Sequence, residues 1–212
     1  IAGGSVPRIS GSEIIDVGPR SAHIANLSYS AYENDETKFN EFELETVQPK
    51  KGDPKDYLVV KTKSKNYTVT PTEASYLLNL VKEVGHGSAN LNSVINCFNN
   101  LAKKLSSTPE EIANKILKIS AGKIEPVIKQ LSREYKLDND IIEFLGGGGG
   151  ASAIVPFTAN YLGYKHKIAE NTEVISAIGA ALGMTRDSIE KSILSPTESD
   201  IVALQKEAYN SV

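Results

Sequence analysis

Two periodicities divide the chain. Before about residue 70 the apolar positions fall in short β-branched runs, and from residue 91 they recur at three- and four-residue steps. Val6 to Ser10 and Glu13 to Val17, separated by the turn signal Ser10-Gly11-Ser12, predict a hairpin. Tyr57 to Lys63 and Asn66 to Thr70 predict a second one around Ser64-Lys65. Between them, Glu33 to Asp56 is polar, is broken by Gly52-Asp53-Pro54, and reads as a solvated loop. Leu91, Val94, Ile95, Phe98, Leu101, Ala102 and Leu105 lie on one face of a helix and belong to a core. Thr108-Pro109-Glu110-Glu111 starts the next helix with a hydroxyl cap, a proline where no amide is needed and an acid able to reach back. That helix is expected to bury Ile112, Ile116, Ile119, Ile124, Val127, Ile128 and Leu131. Gly122, inside it, costs about 1 kcal/mol relative to Ala and marks either a break or a close helix contact.

The last third alternates between the two periods. Ile141 to Leu145 predicts a strand, Gly146 to Gly150 are five consecutive glycines, and Ala151 opens a helix ending near Gly163. A short strand at Tyr164 to Ala169 is followed by helices at Glu173 to Leu182 and Arg186 to Ile193. Ser195-Pro196-Thr197-Glu198 starts a final helix. This order of strands and helices predicts an α/β fold.

Composition narrows the function classes. At 212 residues the chain is read as one globular domain, residues 1–212. Its 23 basic and 26 acidic residues leave a net charge of −3, without the basic excess that nucleic-acid backbones require. No apolar run approaches the roughly 18 residues of a membrane span. Cys97 stands alone, so an internal disulfide and a multi-cysteine metal site are excluded and a reducing, cytoplasmic location is expected. It sits beside Phe98 and reads as a buried, inert thiol. His23, His86 and His166 lack metal-ligand spacing; His166 between Lys165 and Lys167 is expected to be solvated.

A strand running through five glycines into a helix points to nucleotide or phosphate binding. Glycine permits positive φ and close backbone approach, and a helix start adds unpaired N–H groups at a positive dipole end. Gly146, Gly147, Gly148, Gly149 and Gly150 are therefore candidate cofactor-binding residues. No Lys-Ser/Thr follows, so this is not a P-loop. Gly3, Gly4 and Ser5 form a second candidate, balanced against an ordinary turn. Asp16 to His23 gathers an acid, a cation, a hydroxyl and an imidazole, read either as a site or as a polar turn. No catalytic set or metal site is complete within the chain.

Ala2-Gly3-Gly4-Ser5, Val17-Gly18-Pro19-Arg20-Ser21-Ala22, Leu145 to Ala151, and Glu173-Val174-Ile175-Ser176-Ala177-Ile178-Gly179 occur in that order. Together they resemble the hydantoinase/5-oxoprolinase family, in its hydantoinase A part. The resemblance implies an actin-like ATPase (ribonuclease H-like) fold, of which this chain would be mainly the second nucleotide-binding half with a long helical insertion. It also implies ATP and a divalent metal, Mg2+, used to activate a small cyclic amide for ring opening. Gly146 to Gly149 would lie along the nucleotide, and Gly3, Gly4 and Ser5 in an interdomain cleft. The family's Asp-Gly-Gly-Thr loop is expected upstream, making this an excised fragment that lacks an N-terminal half and is inactive alone. An oligomer or second subunit is compatible with this reading. The other classes considered are a non-catalytic actin-like ATPase, such as a chaperone-like reactivating factor, and a small-molecule kinase.

Overall fold

The computed structural model describes residues 3–19, 24–27, 43–61, 65–81, 91–183 and 188–211. It forms two compact units, Ile1–Ile175 and Ser176–Val212. The first is built on a six-stranded sheet. Strands β1 (Ser5–Ser10) and β2 (Glu13–Pro19) form the first expected hairpin, with an irregularity between Arg8 and Ile9. Strand β3 (Ile24–Asn26) runs parallel to β6 (Asn66–Thr68), and β6 is antiparallel to β5 (Tyr57–Lys61), the second expected pairing.

Strand β4 (Glu43–Val47) corrects the loop reading of Glu33 to Asp56. Residues 33–42 lie outside the described set, but Glu43 to Val47 pair along the whole of β5. Pairing is its main support: none of its residues is fully buried, only Leu44 and Val47 pack in part against the core clusters, and Glu45 accepts a 2.9 Å ion pair from Lys61 of β5. With β4 covering one edge of β5, strands β1 and β6 share the other. Strand β1 meets it at Tyr57, and β6 at Val60 and Lys61.

Helices α1 (Pro71–Leu77), α2 (Leu91–Leu105) and α3 (Pro109–Glu134) belong to the same unit. The main core joins Ile9, Ile14, Val17, Leu58 and Val60 of the strands to Val94, Phe98 and Leu101 of α2 and Ile112 and Ile116 of α3. The α2 face matches its expected periodicity except at Ile95, which is exposed. Thr108 caps α3 as expected: its Oγ1 accepts from the Glu111 amide at 3.2 Å while Glu111 Oε2 accepts from the Thr108 amide at 3.1 Å.

The burial expected along α3 stops halfway. Ile112, Ile116 and Ala121 are buried, Ile119, Ile124 and Ile128 are half-buried, and Val127 and Leu131 are exposed. Gly122 marks neither a break nor a close contact, because the helix continues through it and its Cβ position meets open space. Pro126 lacks the N–H that would bond the Gly122 carbonyl, and its ring crowds that same carbonyl.

Beyond α3, a 3-10 turn at Asn139–Ile141 leads to β7 (Glu143–Gly146), which pairs in parallel with β8 (Lys165–Ile168) across α4 (Ala151–Leu162). Gly163 ends α4 in the left-handed region at φ 79°. The second unit holds most of α5 (Ile175–Leu182) together with α6 (Glu198–Ser211), and neither helix has a buried residue. The helix expected at Arg186 to Ile193 is absent over the described residues 188–193. So short a segment, without a face to bury, does not offset the cost of nucleation. The α6 cap is Thr197 rather than Ser195: Thr197 exchanges bonds with Asp200, while Ser195 sits at φ 56°.

Candidate functional site

Strand β7 delivers Gly146 to the start of the glycine turn, and parallel β8 ends beside it. The Ala169 amide donates to the Gly146 carbonyl at 2.9 Å. Gly146 is bare because its surroundings are full: a Cβ there would lie 2.7 Å from Ile168 Cδ1 and 3.2 Å from both Ala151 Cβ and Val155 Cγ2. Gly147 faces Ile175, whose Cγ2 is 3.3 Å from the missing Cβ. Gly148 takes φ 100°, a conformation that L side chains resist. A two-way clasp holds it, since its amide donates to the Thr172 carbonyl at 2.8 Å and its carbonyl accepts from Thr172 Oγ1 at 3.3 Å.

The Cβ position of Gly149 meets nothing within 4 Å, and Gly150 is the N-cap of α4 without a side-chain cap. Among the described residues, the amides of Gly149, Gly150 and Ser152 have no main-chain partner. A bare turn at the carboxyl ends of two parallel strands, running into an uncapped helix, can receive an anionic or polar ligand on main-chain N–H groups.

Gly3, Gly4 and Ser5 lie at the entrance to β1. Gly4 is open, whereas a Cβ on Gly3 would come 2.7 Å from Asn26 Nδ2 and 3.7 Å from Thr72 Oγ1. Ser5 is buried and paired with Pro19. The two glycine segments are connected through α1: Thr72 in its first turn stands over Gly3, and Ser75 Oγ donates to the carbonyl of Ala153, the third residue of α4.

Sequence reasoning passed over this α1 region. Asn26, Thr68, Thr70, Thr72, Glu73 and Ser75 are all buried, and Glu73 is fully so. Its carboxylate accepts from the Thr70 amide at 2.6 Å and from the Thr70 hydroxyl. Asn26 Oδ1 and Thr158 Oγ1 are buried without a hydrogen-bond partner among the described residues. The legible signal was Thr70-Pro71-Thr72-Glu73, the same cap, proline and acid pattern that announced α3.

Asp16, the acid of the Asp16 to His23 segment, lies in β2. It pairs with Lys123 Nζ at 2.7 Å and Arg8 Nη1 at 3.2 Å. Its partial burial works to raise the carboxyl, but the bonds from Lys123, the Val17 amide and Arg8 outweigh this and hold it below the ordinary range. Residues 20–23 and His86 lie outside the described residues. His166 is exposed, as expected. Burial, with Glu73 adding to it, pushes the Cys97 thiol far above its ordinary value, as suits an inert side chain.

The fold and its glycine turn define a mixed α/β protein with a strand–bare turn–helix site. The family model described as Hydantoinase/oxoprolinase matches residues 1–189, and the chain belongs to that family. No curated protein and no solved structure matches it. Among the described residues, no helix is long and apolar enough to cross a membrane.

Proposed function

We propose that this chain is a nucleotide-binding domain of actin-like ATPase architecture serving an ATP-dependent amidohydrolase whose substrate is a small cyclic amide. Family membership supports amide chemistry. The observation that carries the nucleotide reading is the run from β7 through Gly148, at φ 100°, into the uncapped start of α4. ATP supplies the phosphoryl group that turns an amide oxygen into a leaving group.

The protein's share of this chemistry is binding and orientation. The Gly149, Gly150 and Ser152 amides offer donors for phosphate or ribose oxygens, and the helix start favours their negative charge. Thr172 fixes the turn before ligand arrives, so less ordering is left to occur on binding. Gly3, Gly4 and Ser5 would border the same ligand from beside the first turn of α1. No residue is assigned to Mg2+: among the described residues no three His, Cys, Asp or Glu side chains converge, and Mg2+ commonly takes its oxygens from phosphates and water.

Calorimetry of the full chain with ATP, beside Gly148→Val, tests the reading. ATP should bind the native chain, and the variant should bind at least about tenfold more weakly with an unchanged circular dichroism spectrum. Equal affinities would remove the glycine turn from the site. Joined to the upstream half that the resemblance implies, the protein should hydrolyse ATP faster in the presence of 5-oxoproline or hydantoin; hydrolysis indifferent to both removes the cyclic amide.

A further inference from the structure

The fully buried Ser75 hydroxyl bonds across 78 residues of sequence to a main-chain carbonyl, and that carbonyl belongs to the first turn of the helix that the glycine run opens. One turn earlier on α1, Thr72 stands over Gly3, with its Oγ1 3.7 Å from the missing Cβ. Thr72 and Ser75 are three residues apart and so share a helix face. A single short helix therefore touches the N-terminal glycine segment at one point and the support of the second glycine turn at the other.

We infer that Ser75 is a positioning residue: through its bond to Ala153 it sets the spacing between the Gly3–Ser5 segment and the Gly146–Gly150 turn, so that one extended ligand is gripped by both. This rests on the proposed nucleotide reading. The hydroxyl touches no ligand; it acts through α4. A ligand that spans the two segments depends on their spacing, whereas one that fills a single segment does not.

The test compares ATP with adenosine on the native chain, Ser75→Ala and Ser75→Thr, each checked by thermal melting. Ser75→Ala removes one oxygen and adds no volume, and Ser75→Thr retains the hydroxyl. In Ser75→Ala the ratio of ATP affinity to adenosine affinity should fall by up to about tenfold, the limit reached when the full worth of this internal bond goes into holding the spacing, with adenosine binding unchanged. Ser75→Thr should restore the ratio. A loss equal for both ligands, or no loss for either, overturns the positioning role and leaves the nucleotide reading standing. A native chain that binds neither ligand overturns both.

Discussion

The Arg8 guanidinium meets the Asp56 carboxylate through two side-by-side bonds, Nε to Oδ1 at 2.7 Å and Nη2 to Oδ2 at 2.9 Å. This pair ties β1 to the residue just before β5, where the two strands share their one register position at Tyr57. The Arg8 hydrogen bond is the main cause holding Asp56 below the ordinary carboxylate range. A depressed carboxyl contributes stability above its unfolded pKa of about 3.9 and loses it as pH falls through the lower folded value. Asp56→Asn should cost about 1 kcal/mol at pH 7 and flatten the fall in stability below about pH 4. Urea unfolding at pH 7 and at pH 3 measures this. An unchanged pH dependence would show that the pair adds nothing.

Neighbouring glycines should respond differently to a methyl group. Gly148 stands at φ 100°, so Gly148→Ala is strained and should cost roughly 1–2 kcal/mol. Gly149 has open space at its Cβ position, and Gly149→Ala should stay within about 0.5 kcal/mol of the parent. Thermal melts of the two variants check the contrast, and equal losses would contradict the conformation given to Gly148.

Two helix caps of the same design should differ in worth. Thr108→Ala removes an exposed cap and should cost about 1 kcal/mol. Thr70→Ala takes the hydroxyl donor from a fully buried Glu73 carboxylate and should cost about 2–3 kcal/mol. The order of the two unfolding midpoints is the reading to make; a larger loss at Thr108 would refute it.

Cys97 should resist thiol reagents in the native protein. It is 1% exposed, and burial keeps the unreactive thiol form. Its modification rate by a maleimide should follow the unfolded fraction across a urea titration. Rapid labelling in native buffer would contradict the packing of α2.

What could be read beforehand followed from local rules. The hairpin around Gly11, the α2 stripe and the Thr108 cap each depend on residues close in sequence, and the structure matches them except at Ile95. Strand β4 is not legible in the sequence because its support comes from β5, which a mostly polar stretch does not announce. Periodicity predicts burial for the outer half of α3 because it reports which face is apolar, not how far the neighbouring core extends. In the candidate site, the glycine turn was legible from composition. The Thr172 clasp and the Ser75–Ala153 bond were not, since both depend on contacts distant in sequence.

The pairing of Gly122 with Pro126 leaves a rung missing from α3 at the point where its burial ends. Breathing motions of the outer turns can therefore stop there instead of propagating into the main core. Amide protons at residues 127–134 should exchange with deuterium well ahead of those at residues 116–121, so one long helix behaves as an anchored rod carrying a separately fraying tip.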